Sequence, residues 1–210
     1  MRSYESDKIR VNFDGKRCIH ARRCVLNLPS VFQIEGGKDW VQPDAAPVED
    51  LVALIESCPS GALTYERLDG EGPETPAPVN TARLWENGPV EVRGEITMPD
   101  GETRNRVLLC RCGQSKRKPY CDNSHLEAGF EATGDIESNP EAEMLEERSG
   151  PLSVKTMANG PVMIKGPLEV IAGSGRQINT GTSAVLCRCG QSKNKPYCDG
   201  SHREAGFVTD

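Results

Sequence analysis

The sequence predicts an α+β chain in which a small mixed α/β head precedes two β-rich modules. Three observations lead there. Residues 87–94 (NGPVEVRG) recur as 159–166 (NGPVMIKG), an offset of 72, and residues 110–130 recur nearly unchanged as 187–207, an offset of 77. Identity over such lengths marks an internal duplication. Within each copy, apolar residues alternate between Gly-Pro and Asp-Gly breaks, the pattern of short antiparallel strands. The first 66 residues share none of this and combine a strand-like with a helix-like segment.

In the head (1–66), Ile9, Val11 and Phe13 alternate as a strand. Val48, Leu51, Val52, Leu54 and Ile55 follow Pro47 at helical spacing. Cys58-Pro59-Ser60-Gly61 ends that helix, and Ala62 to Tyr65 reads as a returning strand. Residues 67–79 form a Pro/Gly/Glu-rich linker. The first module (80–137) carries Val90, Val92 and Ile96, then Val107-Leu108-Leu109 leading into a cysteine cluster; the second (154–210) carries Val162, Ile164, Leu168 and Val170, then Ala184-Val185-Leu186. The second copy has five extra residues around Gly173 to Ser183, read as a longer loop. Between the modules, 138–153 is acidic. Ser138 and Asn139 as caps, Pro140 at the first helical position and Glu141 behind it give a short helix, with a solvated linker as the alternative.

The chain has 210 residues, only 36% hydrophobic and 5% aromatic, which argues against one large core. Units of ~50–60 residues bury so little surface that they often need a staple. The net charge of -6 disfavours nucleic acid, whose phosphates need a basic face. The longest apolar runs, such as Leu51 to Ile55, fall far below the ~18 residues of a membrane span. The start carries Arg2, Glu5, Asp7, Lys8 and Arg10 and does not read as a signal peptide. The expected compartment is a reducing cytoplasm, where clustered cysteines are metal ligands or catalysts more often than disulfides.

The ligand inventory closes without remainder. Each module presents C-x-C-x8-C-x3-H: Cys110, Cys112, Cys121 and His125, then Cys187, Cys189, Cys198 and His202. Three thiolates and one imidazole are a complete set for zinc or iron. The remaining cysteines, Cys18, Cys24 and Cys58, lie in the head beside the third histidine, His20. Ser115/Ser192 and Pro119/Pro196 turn the eight-residue loop back on itself. Asp122/Asp199 or Ser124/Ser201 then cap a helix holding the histidine in its first turn. The residue before that serine is Asn123 or Gly200, the two types that most readily adopt positive φ.

These residues, Cys-x-Cys-x2-Ser-x3-Pro-x-Cys-Asp-(Asn/Gly)-Ser-His, resemble the CDGSH iron–sulfur (NEET) family over roughly 80–135 and 154–210. The resemblance implies a [2Fe–2S] cluster held by three Cys and one His in each module. It also implies that the two modules intertwine as an intramolecular pseudo-dimer, so that the chain is a monomer with an internal pseudo-twofold. Copy one departs from the family at Asn123. In the head, Cys18-x5-Cys24 and a distant Cys58-Pro59 resemble single-cluster bacterial-type ferredoxins, with Ala21 at the place of the expected fourth cysteine. The head is also similar to the divergent mono-cluster 4Fe–4S domain, through Asp14-Gly15-Lys16-Arg17-Cys18, Trp40-Val41-Gln42-Pro43 and Cys58-Pro59-Ser60-Gly61-Ala62-Leu63. The missing cysteine implies [3Fe–4S], or [4Fe–4S] completed by another ligand for which His20 is the nearest candidate.

The expected function is one-electron transfer by a three-cluster protein, from the head toward the modules, because a neutral imidazole in place of a thiolate raises a cluster's potential. The rival readings are a cluster donor or redox/pH sensor, a zinc-stabilised interaction module, and an enzyme. No catalytic triad remains once the histidines are ligands, and no phosphate-binding Gly loop occurs, so no enzyme is expected. Expected partners are redox proteins or apo-acceptors, not nucleic acid or membrane. Lys116, Arg117, Lys118, Lys193 and Lys195 either steer an acidic partner or solvate the loops. Arg111 and Arg188, between ligating cysteines, are read as stabilising the thiolates.

Overall fold

Short alternating apolar runs, separated by glycine-containing turns, make strands the dominant element. The computed structural model describes residues 1–209 and divides into two units, Met1–Thr75 and Pro76–Asp210.

In the first unit β1 (Arg2–Glu5), β2 (Ile9–Phe13) and β3 (Leu63–Arg67) form an antiparallel sheet with β2 central, Val11 lying opposite both Tyr4 and Tyr65. β1 has no apolar alternation because its residues are mostly exposed, so its sequence carried no strand signal. A short helix α1 (Arg23–Asn27) precedes α2 (Val48–Glu56). α2 starts behind Pro47 with Glu49 and Asp50 in its first turn, where acidic side chains meet the positive end of the helix dipole. It buries Leu51 and Ile55 in a core with Ile9, Val11, Val31, Phe32, Val41 and Leu63. Each such side chain contributes about 1.5–3 kcal/mol by leaving water. Trp40 closes one side, its ring 5.0 Å from Phe13, 5.6 Å from Phe32 and 6.4 Å from Tyr4 between centroids.

The second unit is β-rich: β4 (Thr81–Leu84), β5 (Val90–Thr97), β6 (Thr103–Leu109), a one-turn helix α3 (Ser124–Glu127), β7 (Pro151–Thr156), β8 (Val162–Ile171) and β9 (Gln177–Leu186). β4 pairs antiparallel with the first part of β5, and β7 with the first part of β8. Beyond Gly94, β5 pairs parallel with β7 of the other repeat (Glu95 opposite Pro151). Beyond Gly166, β8 pairs parallel with β4 (Thr81 opposite Glu169). These four strands therefore close on one another, while β6 and β9 flank β5 and β8 as hairpin partners. The exchange happens at the two glycines. Gly94 has φ 143° and a Cβ there would stand 2.1 Å from Asn80 Oδ1; Gly166 has φ 121° and a Cβ would stand 2.4 Å from the Pro151 carbonyl oxygen. A side chain would strike the Asn80 amide at the first crossing and the backbone of Pro151 at the second, so only glycine fits either place.

Both repeats contribute to a single core of Leu84, Val92, Ile96, Leu109, Leu152, Ile164, Leu168, Leu186 and their neighbours. Asn80 seals the crossing: its Nδ2 donates to the Gly150 and Pro167 carbonyls, each at 2.9 Å, and its own carbonyl accepts from Glu169 N at 3.0 Å.

Two expectations are corrected here. The acidic segment forms no helix. Glu143 and Glu147 stand four apart as like charges, and Met144 is 96% exposed, so a helix there has nothing to bury. The segment instead lies along β9, with Asn139 N donating to the Ile178 carbonyl at 2.8 Å and Ser138 Oγ to the Gln177 carbonyl at 2.7 Å. The five extra residues of the second repeat lengthen strands rather than a loop. β8 and β9 have ten residues each where β5 and β6 have eight and seven.

Candidate metal centres

In each repeat the hairpin strand delivers the first cysteine and the loop folds back beside it. Cys110 N donates to the Pro119 carbonyl at 2.8 Å and Cys121 N to the Leu108 carbonyl at 2.9 Å; Cys187 and Cys198 repeat this with Pro196 and Val185 at 2.8 and 3.0 Å. Ser115 and Ser192 sit inside the loop, each donating its hydroxyl at 2.6 Å to the carbonyl of Tyr120 or Tyr197. Asp122 ties the loop to the histidine turn, accepting from Lys116 N at 2.9 Å through one oxygen and from the Ser124 hydroxyl at 2.6 Å through the other. Asp199 does the same with Lys193 and Ser201, and these donors hold its carboxyl well below the ordinary range. Asn123 (φ 72°) and Gly200 (φ 92°) both take the left-handed conformation expected of them.

The donors come in twos. Cys110 and Cys112 sulfurs are 3.7 Å apart, and Cys121 Sγ is 3.6 Å from His125 Nδ1. In the second repeat the separations are 3.7 Å for Cys187 and Cys189 and 3.5 Å for Cys198 and His202. Among the described residues, no three His, Cys, Asp or Glu side chains converge as they would on one metal ion. Backbone N–H groups of Gln114, Asn123 and Gln191 point at Cys112, Cys121 and Cys189 sulfurs at 3.4–3.5 Å, a donor pattern that favours thiolate. No disulfide joins any of the nine cysteines.

Without a metal, these thiols are held apart in proton affinity. The hydrogen bond from Cys112 holds Cys110 down to about 6, while the same bond and burial push Cys112 up. Burial raises Cys121 to about 11 and also raises Cys189. Burial pushes His125 down, which keeps its imidazole neutral and available as a ligand. Several adjacent buried thiolates are costly without a cation, so metal binding must expel protons here.

The arginines between the cysteines hydrogen-bond to carbonyls, while their charges act on a cysteine of the other repeat, Arg111 on Cys187 and Arg188 on Cys110. Arg111 Nε donates to the Gly88 carbonyl at 2.8 Å, its Nη1 to Thr133 at 2.9 Å and its Nη2 to Trp85 and Ala132 at 2.5 and 2.9 Å, with the Phe130 ring 5.6 Å away. Burial lowers it to about 10. Arg188 repeats the arrangement with Gly160, Met157 and Phe207. Each guanidinium clamps the strand entry of its repeat to the segment beyond the histidine. Lys118 and Lys195 likewise turn their ammonium groups onto the loop carbonyls of Ser115 and Ser192, at 2.6 and 2.5 Å.

One pair of positions escaped the sequence reading. A Cβ on Gly113 (φ 80°) would stand 2.4 Å from the Cys189 carbonyl oxygen, and one on Gly190 (φ 80°) 2.4 Å from that of Cys112. The two ligand loops thus touch backbone to backbone. Glycine directly after the second cysteine in both copies was the available signal.

In the head, Cys18, Cys24 and Cys58 line one apolar hollow together with Ile19, Ala21, Trp40, Leu54 and Leu63. The end of α2 supplies Cys58, and Arg23 Nη1 donating to the Ser57 carbonyl at 2.8 Å joins α1 to that end. Ala21 faces the hollow where a fourth cysteine was expected. His20 is exposed with φ 53° and is not among the lining residues; its backbone N–H, not its ring, approaches Cys18 Sγ, at 3.4 Å. Burial raises Cys24.

Soft sulfur donors, a neutral imidazole, N–H groups aimed at sulfur and two donor pairs per repeat fit an iron–sulfur group, as does the three-cysteine apolar hollow of the head. Two β-rich repeats with a Cys3His set in each describe the class of iron–sulfur-binding modules. The comparisons with known proteins agree. The family described as iron-binding zinc finger, CDGSH type, matches residues 87–126 and 159–203, and that described as divergent 4Fe-4S mono-cluster matches 4–68. The uncharacterized protein YjdI of Escherichia coli strain K12 is 39% identical over 64 residues, 30% of this chain and 83% of that protein, and YjdI of strain O157:H7 gives the same values. The chain belongs to the CDGSH iron–sulfur family, as a tandem member carrying a divergent 4Fe-4S mono-cluster domain at its N-terminus. CDGSH domains bind [2Fe–2S] clusters and the mono-cluster domain a 4Fe-4S cluster, so this is an iron–sulfur protein. Among the described residues, no helix is long and apolar enough to cross a membrane.

Proposed function

We propose that the chain is a one-electron carrier with three clusters. Cys110, Cys112, Cys121 and His125 hold one [2Fe–2S] group, Cys187, Cys189, Cys198 and His202 a second, and Cys18, Cys24 and Cys58 a [3Fe–4S] group in a ferredoxin-like head. The observation that carries the reading is the grouping of donors. Each repeat offers two pairs, one per iron of a binuclear cluster, whereas one zinc ion needs four convergent ligands. The head offers three cysteines with Ala21 at the fourth corner. When bound, such clusters accept and release single electrons with little rearrangement. The chain's part is to hold sulfur donors rigidly, through the Ser115/Ser192 and Asp122/Asp199 bonds, and to tune them through N–H···S contacts.

The strand exchange at Gly94 and Gly166 supports an intramolecular pseudo-dimer of the repeats. The boundaries read from sequence, 1–66, 80–137 and 154–210, are retained as the functional modules, with redox proteins of the cytoplasm as partners and no enzymatic step. With clusters bound, the thiolate-only head would be the electron-donating side and the histidine-ligated repeats the accepting side, because a neutral imidazole in place of a thiolate raises a cluster's potential. Measuring three midpoint potentials tests this: the head is expected lowest, and a head potential above both others overturns the direction. Iron analysis tests the cluster types, about seven irons per chain for 3+2+2 and about eight if the head is cubane. A colourless, zinc-loaded preparation ends the iron reading. A second reading, cluster donation, is favoured by the partial exposure of Cys198 and His202. Transfer to an apo-ferredoxin under mild oxidation distinguishes it from a pure carrier.

A further inference from the structure

The two repeats match almost residue for residue around their ligands, yet they do not shield them equally. His125 is 9% exposed and Cys121 5%. Their counterparts His202 and Cys198 are both partly exposed and line an open hollow with Met157, Val185, Phe207 and Val208. Several substitutions between the copies accompany this difference, and one of them stands out. Trp85 in the first repeat occupies the place of Met157 in the second. A Cβ on Gly88 would meet the Trp85 indole, at 3.8 Å; a Cβ on the equivalent Gly160 would meet His202 Nε2, at 3.7 Å. Beside Gly88 the indole edge thus takes the place that the His202 ring has beside Gly160. Trp85 is held there by Nε1 donating to Glu91 Oε2 at 3.0 Å, and buried Glu91 is paired with Arg93 at 2.7 Å. Met163 and Lys165 stand at those positions in the second repeat, which so lacks the anchor. Met157 is 50% exposed, and Val185 40% against 2% for its counterpart Leu108.

We propose that Trp85 is a fixed shield over the first repeat's histidine, and that the second repeat is the open site, the one through which small aqueous iron ligands reach a cluster. This rests on the iron–sulfur reading above. Trp85 is a positioning residue, acting on access rather than on ligation.

The test is loss of visible absorbance from the full-length, air-oxidised, iron-loaded protein in excess EDTA, a chelator that takes ferric iron directly and whose iron complex absorbs little at the cluster bands. Two repeat phases are expected, separated several-fold in rate. Cys189→Ser, which removes the second cluster, is expected to abolish the faster phase, and Cys112→Ser the slower. Trp85→Met is expected to bring the slow phase up toward the fast one, Trp85→Phe to move it much less, and Met157→Trp to slow the fast phase. Equal rates for the two repeats in the parent protein, a fast phase that belongs to the first repeat, or no response to Trp85→Met overturns the proposal while leaving the iron–sulfur reading intact. Absence of iron from the freshly purified protein overturns both, and iron analysis before the chelator is added separates the two failures.

Discussion

In the repeats all the donors of a set lie within one segment, Cys110–His125 or Cys187–His202. The head instead draws Cys18 from a loop, Cys24 from α1 and Cys58 from just beyond the end of α2. The repeat sites are thus shaped by their own loop, through serine and aspartate bonds to neighbouring backbone. The head site exists only once α2 has packed Leu51 and Ile55 against the sheet. Local ligation tolerates change in the distant core; non-local ligation does not.

Ligand deletion gives the largest separation of the two regions. Cys112→Ser is expected to remove about two irons per chain, leaving the head's signal unchanged by electron paramagnetic resonance. A change in the head signal breaks the contrast. Ala21→Cys acts in the opposite region and is expected to raise the head from about three irons to about four. Unchanged iron content there means the fourth corner is already filled. His202→Cys restores a thiolate and is expected to lower the potential of the second repeat by roughly 100 mV or more, following the gap between histidine- and cysteine-ligated [2Fe–2S] centres. An unchanged potential counts against histidine ligation.

Backbone changes sharpen the contrast through stability. Gly94→Ala forces a Cβ against Asn80 at positive φ and is expected to destabilise the second unit by about 1–3 kcal/mol, visible as a lower unfolding midpoint by near-ultraviolet circular dichroism. Leu51→Ala should instead strike the head, by about 2–5 kcal/mol, and with it the head cluster. The smallest effect is at Asp100. Arg104 holds its carboxyl down to about 2, so the folded state gains from the charged form above the ordinary carboxylate range and loses that gain as pH falls toward 2. The pair is partly exposed, so Asp100→Asn is expected to cost under about 1 kcal/mol near neutrality, with the difference from the parent vanishing below pH 2 in acid titrations.

The ligand motif was legible because all its geometry is local: the turn-back, the positive φ before the serine and the histidine turn are written in consecutive residues. The strands of the repeats and α2 were equally legible from apolar spacing. What the residues did not announce was long-range. β1, at a sheet edge, and β4, paired on both sides, are four-residue segments whose pairing, not their composition, makes them strands. The acidic segment carried helix-start signals but no face to bury. Arg111 and Arg188 suggested thiolate partners by adjacency; carbonyls of residues 85–88 and 132–133 or 157–160 take their protons, and the cysteines their charges act on are those of the other repeat, Cys187 and Cys110. Trp85 gave no signal until the copies were compared in three dimensions.

The crossing at Gly94 and Gly166 means that the duplicated halves are not separable modules. A protease nick between Ser138 and Gly150 leaves β4 without β8 in one fragment and β7 without β5 in the other. Two such fragments are complementary pieces of one barrel-like whole, and each owes its shape to the other's presence.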